Sequence, residues 1–187
     1  MIYVGYYTIG TPYEAEAAEC VATLDQFGLR HDFVGVPNAG SWVRNCSLKP
    51  MVIERLMLKH DGVPLVYLDA DARVRARPVW FDSIPPDIDI ACHYREGHEL
   101  VSGTLCFGPT VGARQLVGDW RIACQASPDE WDQQVLQRIL AGDKSYRLIE
   151  LPKEYIRIFD DPRMGEPVIE QMQASRRLAR TVCAYQS

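Results

Sequence analysis

The chain has 187 residues, 47% of them hydrophobic, and carries 20 Lys and Arg against 25 Asp and Glu, a formal net charge of -5. That length suits a single α/β domain (1–187) without a large accessory domain, and the acidic balance excludes sequence-independent nucleic-acid binding through a broadly basic surface. No apolar run approaches the roughly 18 residues that span a bilayer, and the N-terminus lacks the pattern of a signal peptide; Cys20, Cys46, Cys92, Cys106, Cys124 and Cys183 form no CxxC pair, so buried reduced thiols in a cytoplasmic protein are expected.

Ile2 to Tyr7 reads as a first strand. Thr11-Pro12-Tyr13-Glu14 follows as a helix start, with Thr as N-cap, Pro at N1 and Glu at N3 closing a capping box. Ala15, Ala18, Val21, Ala22, Leu24 and Phe27 recur at helical spacing up to a stop at Gly28. His31 to Val36 is a second strand, giving a βαβ unit. Gly40 to Lys49 reads as a polar loop with an exposed aromatic, Trp42. Pro50 opens a helix with a stripe of Val52, Ile53, Leu56 and Met57, ending near His60-Asp61-Gly62.

Leu65-Val66-Tyr67-Leu68 is a short continuous apolar run, the pattern of a strand buried on both faces of a parallel sheet. It runs into Asp69-Ala70-Asp71. The C-terminal edge of such a strand is where open α/β sheets bind ligands, and spacing i, i+2 in extended chain puts both carboxylates on one side. Their repulsion would be relieved by a divalent cation such as Mg²⁺, which is usually held by one or two carboxylates and substrate phosphates. A plain Asp-rich turn is the competing reading.

Ile88 to Tyr94 and Leu100 to Phe107 read as neighbouring strands joined through Arg95 to Glu99, and Gly103 within the second marks a bulge or a close backbone approach to ligand. A helix is expected from about Val111 to Gln125. Ser127-Pro128-Asp129-Glu130 repeats the start signal of the first helix and leads into Val135, Leu136 and Ile139. Tyr146 to Leu151 is a late strand, and Arg176 to Arg180 reads as a short basic helix or a disordered end.

Together these segments resemble a GT-A-type glycosyltransferase of the nucleotide-diphospho-sugar transferase superfamily. The resemblance rests on Asp69-Ala70-Asp71 as a DxD motif, Trp42-x-x-Asn45-x-x-x-Lys49-Pro50 ahead of the preceding helix, Val101-Ser102-Gly103-Thr104-Leu105-Cys106-Phe107 as an "NSG-apolar" strand, Asp129-Glu130-Trp131-Asp132-Gln133 as an acidic "DQ" segment, and Pro167-Val168-Ile169-Glu170-Gln171. The expected fold is a three-layer α/β/α Rossmann-like arrangement around a mixed, mainly parallel sheet. The expected activity is metal-dependent transfer of a sugar from a UDP- or GDP-sugar to a hydroxyl acceptor, with Mn²⁺ or Mg²⁺. At this size the chain holds little beyond a donor core, so a homodimer or a partner protein would recruit the acceptor.

The resemblance implies that Asp71 binds the metal and Asp69 the metal or the ribose. The loop from Tyr7 and Thr8 through Gly10 to Thr11 would face the base and ribose, although simple helix capping explains it equally. Arg44, Asn45 and Lys49 fall in the segment that would meet the phosphates; as lone basic residues on a polar loop, Arg44 and Lys49 are otherwise solvated. Ser102, Gly103 and Thr104 would floor the sugar and acceptor site. Asp132 is the candidate catalytic carboxylate, a general base if configuration inverts and an orienting group if it is retained; a helix-start acid favoured by the macrodipole is the alternative. With Ser127 and Glu130 as caps, the helix would not need Asp132 for stability.

Gln171 stands where the family often has a metal-binding His. It offers an amide oxygen without charge, so Glu170, Asp160 or Asp161 are alternative third ligands, as are, more remotely, His93 and His98. Gln171 also supports a binding domain that has lost turnover. A haloacid-dehalogenase-like phosphatase also follows a strand with DxD, but here the motif lies on the third strand and Arg73 stands where a small or apolar residue is wanted.

Overall fold

The computed structural model describes residues 1–143, 145–161 and 165–176. Its elements in chain order are β1 (Ile2–Thr8), α1 (Tyr13–Gln26), β2 (His31–Val36), α2 (Trp42–Cys46), α3 (Lys49–Lys59), β3 (Leu65–Leu68), β4 (Ala72–Val74), β5 (Ile90–Arg95), β6 (Glu99–Phe107), α4 (Val111–Ala126), α5 (Asp132–Gly142), β7 (Leu148–Glu150), β8 (Arg157–Ile158) and β9 (Ile169–Gln171), with 3-10 turns at Val79–Ser83 and Lys153–Tyr155. The central sheet has the order β2-β1-β3-β6-β5-β7. All its pairings are parallel except those of β6, and Ile2 pairs with Leu65 in parallel register as expected.

Alternation along β3 explains why its whole run is apolar. Leu65 and Tyr67 enter a core filled by Val52, Ile53 and Leu56 of α3, Leu116 and Trp120 of α4 and Val135 and Leu136 of α5. Val66 and Leu68 enter the opposite core, with Cys20 and Leu24 of α1, Phe81 and Tyr155. Helices α3, α4 and α5 therefore form one outer layer. The other is α1 together with a second sheet, β4-β9-β8, which the sequence reading missed because strands of two or three residues carry no measurable period.

Several local expectations need correction. The buried face of α1 is Ala17, Cys20 and Leu24, a different phase from the alanine-weighted stripe; Ala15, Ala18 and Ala22 are exposed, since alanine is a weak marker of burial. Thr11 does not complete a capping box. Its hydroxyl donates to the Thr8 carbonyl at 2.7 Å and accepts from the Tyr13 amide at 3.3 Å, while the Glu14 carboxylate reaches back to the Gly10 amide at 3.1 Å. The segment after Gly40 holds a short helix, α2, whose N-cap Ser41 accepts from the Arg44 amide. Ser127-Pro-Asp-Glu closes a turn, the Glu130 amide donating to the Ser127 carbonyl at 3.1 Å. The extended backbone of Trp131 (ψ 130°) separates that turn from α5, which starts at Asp132.

Cys20, Cys92, Cys106 and Cys124 are buried and free, and Cys46 is free and half-buried. Cys183 and the basic stretch beyond Arg176 lie outside the described residues. No helix among the described residues is long and apolar enough to cross a membrane.

Candidate active site

The C-terminal ends of β1 and β3 open into a cavity of about 570 Å³, within the usual size of ligand sites, roughly 300–1,000 Å³. Asp69 and Asp71 meet there through a turn rather than through extended chain, the Asp69 carbonyl accepting from the Ala72 amide at 3.0 Å. The Asp69 amide donates to the Gly103 carbonyl at 2.9 Å, which fixes the turn on β6. Tyr67 points to the same side as Asp69, and its hydroxyl donates to Asp69 Oδ1 at 2.8 Å.

Lys49 is the hub. Its side chain is 4% exposed, and its ammonium lies 3.1 Å from Asp69 Oδ1 and 3.1 Å from Asp132 Oδ2. It also donates to Ser102 Oγ at 3.0 Å and sits 5.1 Å from the centre of the Tyr67 ring. Burial alone would push this ammonium down, but Asp132 and Asp69 hold it above the ordinary lysine value, so it is charged at neutral pH. Asp132 is 5% exposed. Burial raises its carboxyl and Lys49 pulls it back, with a net upward shift. Its Oδ2 atom has the Lys49 charge beside it but no well-aligned hydrogen-bond donor. The position of Asp132 is set from behind, because the fully buried Trp120 donates its indole N–H to the Asp132 carbonyl at 2.8 Å and so pins the start of α5 to α4.

Asp71 Oδ2 accepts from the Ala174 amide at 2.6 Å. Burial and then the charge of Asp69 push its carboxyl up to about 6, against the lowering by that amide. Gln171, 2% exposed, is carried to the carboxylates by the antiparallel pairing of β4 with β9, which sets Ala72 opposite Gln171. Its amide nitrogen is bound to Thr104 Oγ1 at 2.9 Å and faces the Gly103 carbonyl at 3.3 Å, so its oxygen is the end left to turn elsewhere. That oxygen and Asp69 Oδ2 both border the space where a side chain on Gly103 would begin, 3.0 and 3.3 Å from the Cβ position. A side chain at this position would displace the Gln171 amide, 2.9 Å away at its carbon, so the glycine admits Gln171 where the sequence suggested a ligand.

Asp69, Asp71 and Gln171 line the same cavity and bring two mutually repelling carboxylates and a neutral amide oxygen, hard donors of the kind that suit a small divalent cation whose remaining ligands are phosphates and water. Among the described residues no three His, Cys, Asp or Glu side chains gather as a metal site. Two of the alternative third ligands have basic partners: Glu170 pairs with Arg75 at 2.8 Å, and Asp160 lies 3.6 Å from Arg176. His93 is held by the Leu151 carbonyl and Glu150, and His98 by the Glu96 carbonyl.

Of the residues singled out in the sequence, Tyr7, Thr8, Asn45, Lys49, Asp69, Asp71, Ser102, Gly103, Asp132 and Gln171 line this one cavity. Gly10 and Arg44 do not. The Gly10 amide donates to Glu14 at 3.1 Å, and the exposed Arg44 pairs with Asp129 at 3.1 Å. The Asn45 side chain braces the loop before α2, accepting from the Ala39 amide at 2.7 Å and donating to Asn38 at 3.0 Å. Thr104 is fully buried behind the floor and anchors Gln171. Sequence reasoning missed Tyr6, Tyr67, Tyr13, Trp131 and Gln133 as wall residues. Tyr67 was findable, since it precedes Asp69 by two residues on the same strand side, whereas Trp131 needed the turn that the false helix start concealed.

No protein-family model matches the sequence, and no curated protein matches it. Solved structures do. A glycosyltransferase involved in the glycosylation of the major capsid of PBCV-1 superposes with a TM-score of 0.74 at 12% identity, over 100% of this chain and 99% of that one. The galactosyltransferase LgtC, in complex with donor and acceptor sugar analogs, gives 0.61 at 12% identity, over 91% and 86%. Apo GlyE from Streptococcus pneumoniae TIGR4 gives 0.62 at 14% identity, over 91% of this chain and 53% of that one. The fold of this chain is thus the α/β fold of those glycosyltransferases, of the GT-A type that the sequence resembles.

Proposed function

We propose that this protein transfers a sugar from a nucleotide-diphospho-sugar, a UDP- or GDP-sugar, to a hydroxyl acceptor in a reaction that depends on Mn²⁺ or Mg²⁺. The observation that carries the reading is the convergence of Asp69, Asp71 and Gln171 oxygens beside a buried Lys49–Asp132 pair in one open cavity at the strand ends. Asp69 Oδ2, Asp71 and Gln171 Oε1 would hold the cation, which when bound neutralises the charge growing on the departing diphosphate. Tyr67 and Lys49 both engage Asp69 Oδ1, and so orient the carboxylate with its other oxygen toward the diphosphate.

In the reaction the acceptor oxygen forms a bond to the anomeric carbon as the bond from that carbon to the phosphate oxygen breaks, and its electron pair leaves with the nucleoside diphosphate. Asp132, ionised through Lys49 and more basic than an ordinary carboxylate, takes the acceptor proton if configuration inverts; in a retaining reaction it orients the sugar. Ser102, fixed by Lys49, floors the sugar site.

The neutral Gln171 favours one second reading, a domain that binds sugar nucleotides without turning them over. A panel of UDP- and GDP-sugars with Mn²⁺ or Mg²⁺, followed for nucleoside diphosphate release and by NMR for the anomer formed, separates the two. Metal-dependent release from one donor supports transfer, metal-dependent binding without release supports the second reading, and absence of both overturns the site.

A further inference from the structure

Two of the tryptophans that line the cavity leave much of their ring surface open to solvent. Trp42 and Trp131 are each 41% exposed, both line the cavity that holds Asp69 and Asp132, and their rings meet edge to face, centres 5.1 Å apart at 71°. Large exposed aromatic surface is costly in water and marks interaction sites when it is clustered.

The pair is built rather than incidental. Trp42 opens α2 and Trp131 immediately precedes Asp132, so they come from segments 89 positions apart (131 − 42). Those segments are tied by the Arg44–Asp129 ion pair at 3.1 Å and by Ser47 Oγ donating to the Glu130 carbonyl at 3.4 Å. The main chain beside Trp131 is held by Trp120. Trp131 also borders a shallow groove outside the cavity with Val43, Pro128 and Gln134, so its ring divides the interior from the surface. Polar side chains of Arg95, Glu99 and Gln133 line the same cavity.

An apolar flat face beside charged and amide groups is the chemistry that recognises a sugar ring, which presents C–H bonds on one face and hydroxyls around its edge. A lipid chain would strip water from the Arg95–Glu99 ion pair and from Gln133 without replacing it, and a serine or threonine side chain has no flat apolar face to stack. We infer that Trp42 and Trp131 form the acceptor platform and that the acceptor is itself a saccharide, its attacking hydroxyl delivered past Trp131 to the neighbouring Asp132. This rests on the transfer reading above and names the substrate class of its second site.

The test titrates methyl glucosides, methyl galactosides, methyl mannosides and their disaccharides into the full chain, with and without saturating nucleoside diphosphate and Mn²⁺, and follows tryptophan emission. Sorbitol and a Ser/Thr-containing peptide serve as controls. The inference expects at least one saccharide to shift the emission and to accept transfer. Trp131→Ala should raise the acceptor KM by about tenfold or more with kcat nearly unchanged, the pattern of lost uniform binding, and Trp131→Phe should recover part of the loss. Nucleotide affinity should stay within about twofold, well inside one decade of Kd. A nucleotide response with no saccharide response, preference for the peptide, or an equal fall in nucleotide affinity in Trp131→Ala overturns the inference while leaving the donor site standing. Absence of any nucleotide response overturns the transfer reading beneath it.

Discussion

Lys49→Met removes the positive charge 3.1 Å from the buried Asp132 carboxylate. At an effective dielectric of about 20, unit charges 3.1 Å apart attract by roughly 5 kcal/mol, and much of this is offset by the cost of burying the ammonium. The loss follows from the orphaned partner: breaking a buried pair from one side costs about 3–5 kcal/mol. For a chain of this size that lowers Tm by about 6–20 °C. Asp69 adds little to the penalty, since its side chain is 36% exposed and can turn to water.

The pH dependence has a definite sign. With Lys49 gone, the folded-state value of Asp132 stands further above its unfolded value of about 3.9, because burial already raises it and the opposing charge is lost. The penalty is therefore absent at pH values below the unfolded value and grows as pH rises toward the folded value. Thermal melts of wild type, Lys49→Met, Asp132→Asn and the double variant from about pH 4 to pH 8 complete a cycle. Lys49→Met should be weakest near neutral pH, and adding Asp132→Asn should restore part of its stability. A Lys49→Met melt within about 1 kcal/mol of wild type, the level of an exposed pair, or no rescue in the double variant, would refute the pairing.

Three further outcomes follow from the same geometry. Asp71, raised to about 6 by burial and Asp69, should make the metal-free chain lose up to about 3 kcal/mol as pH rises from about 4 to 6; urea melts with and without Mn²⁺ check this, and the slope should flatten with metal and become clearly shallower in Asp71→Asn, leaving the part due to Asp132. Asp132→Asn should cut turnover per folded molecule by about a hundredfold or more and also lower Tm measurably, because the structure makes Asp132 a buried partner of Lys49 rather than a spare acid; unchanged turnover would leave it a structural role alone. Gln171→His should tighten Mn²⁺ binding in the presence of nucleoside diphosphate, read by the Mn²⁺ resonance signal, and an unaltered affinity would remove Gln171 Oε1 from the ligand set.

The scaffold was legible because its long elements carry strong periods: the apolar run of β3 and the Val52, Ile53, Leu56 and Met57 stripe both lie in the core as read. The helix start at Ser127 was misread for a physical reason. Ser-x-x-Glu satisfies a β-turn as readily as a helix N-terminus, and only the extended Trp131 decides between them. That error hid both the first-turn position of Asp132 and the neighbouring Trp131. In the sequence Lys49 ends a polar stretch, yet Pro50 and the stripe behind it draw it into α3, where Asp69 and Asp132 offset the cost of its burial. Gln171 was placed by family likeness alone; its approach depends on a three-residue pairing with Ala72–Val74 that no local pattern announces.

The central claim is a metal-dependent diphosphate site at the end of β3. Isothermal titration of UDP and of GDP into wild type and Asp71→Ala, each in excess Mn²⁺ and in EDTA, measures it directly. The account predicts that wild type binds at least one of the two in Mn²⁺, and that EDTA and the Asp71→Ala substitution each weaken this binding by about tenfold or more, some 1.4 kcal/mol, with the folded spectrum of the variant preserved. Equal affinity in EDTA, or in folded Asp71→Ala, would contradict it.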